Sequence, residues 1–529
     1  MGQLMQQVIA PTASKNKNNL VIRVSLVLAG LILAAIVVLV VRWPFRLVAV
    51  VKQLQEEGLG KVEVGGFHQT YFPRPGCVLQ KVRFQHNPKA GAPPLITIET
   101  VRIEGSFSGL FAKHVKRIGA EGMHILVPPP SAEEHFQTPP RSSIVIDELV
   151  ADGAVLEIPH DQNQLLKFSF HSFDLSDIGS KGPATFHARF SNPEPPGEIT
   201  ASGKFGPWNS DDLGKTATSG EYQFQQADLR VFHGIAGLLS SSGKFSGVLD
   251  HIRVEGETDV PQFAVTSSSH EVQLRTQFRA EVNGENGDTS LQQVVATFLK
   301  TTVLAQASVA GEAGQPGKTA AVELTSKNGR IQDILLLFAQ AERAPMSGAT
   351  SFHAKVSLPP GGRPFLQKVE LQGDFGIDAG SFSNSNTQEG VNHMSEGALF
   401  GGQDRSKAEK KEKEEESGTV LSDLKGHVAL KDGIARFSDL SFSVPGATAR
   451  MQGTYNLINE KIDLHGTLKT ESQPSNTTSG VKSLMLKVLN PFFKKKRAGY
   501  VMPIKIAGTY EHPLFGLDLA DSRNKKSEK

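Results

Sequence analysis

Reactive side chains in this 529-residue chain occur at a few spacings that suggest chemistry. Residues 312–319 read EAGQPGKT, similar to the glycine-rich loop that cradles phosphate, but Glu312 stands where that loop requires Gly. The AVELT that follows alternates like a strand, whereas a bound phosphate needs a helix N-terminus there. Ser422 and Lys425 have the spacing of a serine–lysine nucleophile pair without the further elements that accompany one. GSFSG (105–109) and GKFSG (243–247) place Phe where a nucleophile elbow needs Ser. The sixteen His are scattered, no HExxH, CxxC or calcium loop occurs, and the single Cys77 has no partner for an internal disulfide. The expectation is a protein that is not an enzyme, with no catalytic residue, cofactor or metal.

Two other stretches have the chemistry of a lipid surface. Val24–Val41 is a charge-free apolar run of the length a helix needs to cross a bilayer, and it ends in Arg-Trp-Pro-Phe-Arg, not in the small residues of a cleavage site. It reads as an uncleaved transmembrane anchor, with Lys15, Lys17 and Arg23 before it and Trp43 suited to the interface. Near the other end, Phe492, Phe493, Lys494, Lys495, Lys496 and Arg497 follow an apolar segment, Ser483–Leu489, and are candidates for contact with an anionic membrane surface. A net charge of +2 gives no sign of nucleic-acid binding.

The elements that hold these residues have a period of two. Ile252, Val254, Gly256 and Val260 alternate with charged residues; Val272, Leu274, Phe278, Ala280 and Val282, then Val369 to Ile377, then Ile462 to Leu468, alternate with charged or polar ones. Short connections make the sheet antiparallel with one wet face. Helices are expected at Leu229–Leu239, Leu291–Leu299, Ile331–Glu342 and Val481–Leu489. Glycines recur in phase with the apolar residues, as in Leu371-Gln-Gly373-Asp-Phe375, Ala201-Ser-Gly203-Lys-Phe205 and Leu464-His-Gly466-Thr-Leu468. Either they align across strands and crease the sheet, or they end strands before turns.

The expected organisation is a cytoplasmic tail (1–23), the anchor (24–41), a β region (48–380), a charged disordered insertion (381–418), a C-terminal unit (419–520) and a basic tail (521–529). Within the C-terminal unit, Leu424-Lys-Gly426, Asp432-Gly433, Pro445-Gly446, Gly453-Thr-Tyr455, Asp463-Leu464, Gly466, Pro503-Ile504, Gly508-Thr-Tyr510 and Pro513 resemble the C-terminal domain of AsmA-like proteins of double-membraned bacteria. That family includes TamB- and YhdP-related proteins and is related to bridge-like lipid transfer proteins.

The resemblance implies a mostly β fold: a transmembrane helix followed by a long, curved antiparallel sheet forming a U-shaped hydrophobic groove, with a few short helices. It also implies an inner-membrane protein, single-pass and largely periplasmic, that takes phospholipids as partners, with envelope proteins at its outer-membrane end. Ala449, Met451, Leu457, Ile462, Leu464, Leu468, Ile504 and Ile506 would then contact acyl chains. The alternative is a scaffold for outer-membrane protein assembly, acting through exposed strand edges. About 25 strands spaced near 4.8 Å would reach on the order of 100 Å.

Overall fold

The computed structural model describes residues 43–55, 61–85, 95–126, 144–159, 165–388, 422–470 and 501–518, apart from short gaps within them. The transmembrane run, most of the charged insertion, the Val481–Leu489 helix and the Phe492–Arg497 cluster lie outside the described residues. Among those described, no helix is long and apolar enough to cross a membrane.

The described chain is mostly β, with one long sheet and few helices. The first strands are β1 (Lys61–Thr70), β2 (Gly76–Gln85), β3 (Ile96–Gly105), β4 (His114–Glu121), β5 (His124–Leu126), β6 (Val145–Val150) and β7 (Val155–Pro159). They are followed by β8 (Leu165–Ile178), β9 (Ala184–Pro193), β10 (Pro196–Phe205), β11 (Ala217–Asp228), β12 (Ile235–Ala236), β13 (Leu238–Val248), β14 (His251–Val265) and β15 (Val272–Val282). Next come β16 (Thr289–Phe298), β17 (Thr301–Gly311), β18 (Lys318–Arg330), β19 (Met346–Leu358) and β20 (Glu370–Phe382). The last are β21 (Ser422–Lys431), β22 (Ile434–Val444), β23 (Ala447–Asn456), β24 (Lys461–Thr470), β25 (Val501–Thr509) and β26 (Pro513–Leu517). The described residues also include the short helices α1 (Leu47–Leu54), which precedes β1, and α2 (Ile331–Leu336) and α3 (Phe365–Lys368), which connect strands.

Nearly every strand pairs antiparallel with the next in sequence. The exception is one return: β4 pairs parallel with β6 and β5 with β7, and residues 127–144 carry the chain back between them. A parallel pair needs a connection of this length, where a hairpin needs two residues. β20 pairs with β21 from Leu371–Leu430 to Ile377–Leu424, so the ladder runs unbroken past residues 383–421 and joins the β region to the C-terminal unit. Strand β20 extends to Phe382, so the first two residues of the expected insertion belong to the sheet.

Strand direction assigns each connection to one of two rims. One rim has the turns after β1, β3, β8, β10, β13, β15, β17, β19, β21, β23 and β25, of which 206–216 and 359–369 are the longest. Residues 86–95, 331–345, 383–421 and 471–500 all leave from the opposite rim.

Two expected helices are corrected. Leu291–Leu299 is strand β16, and Leu229–Leu239 is a 3-10 turn (Leu229–Phe232) running into β12 and β13. The helix expected at Ile331–Glu342 is present but ends at Leu336.

Candidate apolar channel and its charged back

Paired residues in a sheet point to the same face, so register shows what the alternation builds. One row can be followed partner by partner from β2 to β26. It runs Cys77, Ile103, Ile118, Leu149, Leu175, Phe186, Gly203, Gly220, Phe245, Val254, Ala280 and Leu291. It continues through Ala307, Val322, Val356, Leu371, Leu430, Ala435, Tyr455, Ile462, Gly508 and Pro513. No member is charged. At the inter-strand spacing the row is on the order of 100 Å long.

The opposite face bears cross-strand ion pairs: Lys244–Glu221 at 3.1 Å, Arg279–Glu255 at 3.2 Å, His353–Glu323 at 2.6 Å, His427–Asp374 at 3.0 Å and Lys431–Glu370 at 2.9 Å. His353 donates to Glu323 and holds that carboxyl below its usual range, and Lys505 does the same for Asp463. Such exposed pairs contribute little stability each, but they keep this face in water. Two open grooves of about 750 and 900 Å³ cross the sheet. Both are lined by the polar neighbours of each apolar residue, such as Glu221 and Gln223 around Tyr222 or Glu370 and Gln372 around Leu371. The next apolar residues along those strands do not line them, so they are gaps between charged ranks on the wet face.

The glycines do align. Gly203 faces Gly220, and Gly243 faces Gly256. A Cβ at Gly203 would overlap the Ser219 carbonyl oxygen, so two backbones approach more closely than any side chain permits. Aromatic rings from adjacent strands fill the space above: a Cβ at Gly243 would lie 2.8 Å from the Tyr222 ring, and one at Gly220 2.8 Å from Phe245. Tyr222 keeps its hydroxyl within 3.1 Å of Ser241 Oγ, and burial pushes its pKa upward. Alignment is found at these two pairs, with aromatic rings set over them, whereas Gly373 faces Ala354 and Val428, and Gly466 faces Met451 and Ile504.

Cover over the apolar face is local. At the N-terminal end Trp43, Phe45 and Val50 of the α1 region pack with Cys77, Leu79, Val101 and Ile103, and burial pushes the Cys77 thiol up to about 12. Toward the other end α2 lies across the rim, with Ile334 and Leu337 against Val272, Phe298 and Val303, and Ile331 and Leu335 against the group around Met451. Asp333 fixes this helix. Its buried carboxylate accepts from Lys300 N at 3.0 Å and from Thr301 Oγ1 at 2.9 Å, and Ser268 donates to Leu336 O.

The structure gathers most of the eight candidate lipid contacts in this C-terminal group. Ala449, Met451, Leu468 and Ile504 are buried in it, and Leu464 and Ile506 pack against it at half-burial. Ile462 lies toward the other rim beside Tyr455, and Leu457 sits in the turn after β23, where its N–H donates to Gly433 O. Met346, Ile377, Leu424, Phe442 and Val444 complete the group and were not singled out in the sequence, although Phe442 and Val444 alternate visibly with serines. By contrast, none of the clusters of buried apolar residues draws on β9, β10, β11 or β13.

No family model, curated protein or solved structure matches this chain.

Proposed function

We propose that this chain is a lipid-handling protein of the AsmA-like kind, anchored in the inner membrane by Val24–Val41 with its sheet in the periplasm. In this reading the sheet curves into a groove that shelters phospholipid acyl chains between inner and outer membranes. The carrying observation is the uncharged row from Cys77 to Pro513, backed by a face of ion pairs. An apolar face of this length exceeds the few hundred Å² that a monomer leaves to water, and acyl chains along it would remove that area at roughly 25 cal/mol per Å². Nothing in the reading calls for covalent chemistry. The row and the ion-paired back favour transport over the scaffold alternative, which would work through the edges β1 and β26.

Adjacent residues on one strand provide the test, because Val322 and Glu323 face opposite sides. A photo-crosslinking residue placed at Val322 in the full chain in native membranes should capture phospholipid, and the same residue at Glu323 should not. Equal labelling at both, or at neither, would sink the groove reading and leave the scaffold ahead.

A further inference from the structure

Three segments converge at the N-terminal end of the sheet. The Phe45 ring, the Pro75 carbonyl and the Gly105 backbone meet around one point: a Cβ on Gly105 would lie 2.9 Å from Phe45 Cζ and 3.4 Å from Pro75 O. Gly105 N donates to Pro75 O at 2.7 Å, Trp43 packs on Phe45 and on Tyr71, and Arg74 pairs with Glu104 at 2.7 Å. Each segment then sends an apolar side chain outward within three residues of that point. Phe72 is 84% exposed, Phe107 51% and Val48 79%. An isolated exposed Phe is ordinary, but here three exposed apolar residues each lie within three residues of one braced point. The chain itself identifies the occupant, because the apolar run Val24–Val41 ends just before Trp43.

We propose that this corner, the Tyr71–Pro75 turn with the Ser106–Gly109 turn and the start of α1, is seated in the headgroup layer of the bilayer that Val24–Val41 crosses. Phe72 and Phe107 enter the acyl boundary, as apolar side chains at an interface do. The inference rests on the anchor reading above and adds a fixed orientation: the uncharged row begins at the membrane surface.

The test uses the full chain reconstituted in phosphatidylethanolamine–phosphatidylglycerol vesicles. Phe72→Cys, Phe107→Cys and, on the opposite rim, Phe232→Cys are each labelled with bimane; native Cys77 is fully buried and does not take the label. Brominated acyl chains should quench positions 72 and 107 at least twofold more than 232, while aqueous iodide quenches 232 best. If the chain floats with the vesicles and iodide quenches all three alike, the docking proposal fails and the anchor stands. If 72 and 107 are shielded from both quenchers, protein covers them, as a second copy would, and the proposal fails. If the chain does not float with the vesicles, the anchor and the proposal fail together.

Discussion

Strands β19–β25 and strands β9–β13 share one alternation of apolar and polar residues, yet the first set encloses a core and the second does not. Met451, Ala449 and Phe442 are buried in one cluster with Met346, Ile377 and Leu424 of neighbouring strands, and Ile331 and Leu335 of α2 pack against that cluster. Among the described residues no helix covers Phe186, Tyr222 and Phe245; they are half-buried, Tyr222 and Phe245 beside glycines of neighbouring strands and Phe186 beside Phe245. Alternation thus fixes which way a side chain points, and a separate segment determines whether that side is sealed.

The comparison breaks most visibly if both regions respond alike to a charge. Met451→Asp should lower the unfolding free energy by about 2–5 kcal/mol from lost packing alone, with carboxylate burial added. Val254→Asp should cost under about 1 kcal/mol, within the range of strand preferences, while reducing bound lipid. Urea denaturation of the two full-length variants decides; equal losses would mean that the central face is covered as well.

The paired glycines give a smaller effect. Gly203→Val should cost about 1–3 kcal/mol, since nothing yields between two backbones. Gly119→Val, where an added Cβ meets nothing within 4 Å, should stay within about 0.5 kcal/mol. A tolerated Gly203→Val would show the central strands to be looser than the register implies.

The seal itself can be loosened. Asp333→Ala leaves the Lys300 N–H and the Thr301 hydroxyl without their acceptor, at about 1–2 kcal/mol. Hydrogen exchange should then quicken first at Ile331–Leu336, with β9–β13 unchanged. Acceleration throughout the sheet would make α2 a general support of the fold and not a local cover.

The smallest effect belongs to the charged side. Side-chain hydrogen bonds from Arg230, with its backbone N–H, hold the Asp228 carboxyl down to about 2 against an ordinary 3.8. A depressed carboxyl stabilises the fold fully above its unfolded value and loses that contribution as pH falls through the folded one. The stability difference between the native chain and Asp228→Asn should therefore be constant above about pH 4 and vanish toward pH 2. It should be slight throughout, because the pair is exposed to solvent. A difference that grew on acidification would reverse the sign and overturn the assignment.

Much of the fold is legible in the sequence. β14, β15, β20 and β24 fall where the two-residue period places them. The misread helix at Leu291–Leu299 has a definite cause. Gln292 and Gln293 form a bulge, the pairing shifts between Leu291 and Val294, and the apolar positions change from odd to even. The resulting spacing of Leu291, Val294 and Phe298 imitates a helical face. At Leu229–Leu239, Gly234 and Gly237 take φ values of +147° and +134°, which end helical backbone. The apolar row was legible only as separate strands, because register arises from pairing. The covering helix was legible as a helix at Ile331, but its packing partners were not: Ile331 and Leu335 pack against a cluster drawn from β19 to β25, and nothing local to either segment announces the other.

The inequality of the two rims bears on how a chain of this plan changes length. Duplicating one hairpin adds two strands, roughly 10 Å of span, and returns the backbone to the rim it left, so every later side chain keeps its face. Adding a single strand would send all later connections to the opposite rim and place the long segments 383–421 and 471–500 where the longest connections now are 206–216 and 359–369. The return between β5 and β6 is the one point at which parity resets, since residues 127–144 already carry the chain from rim to rim. Length in such a molecule is therefore quantised in hairpins, and an odd increment fits only at that return.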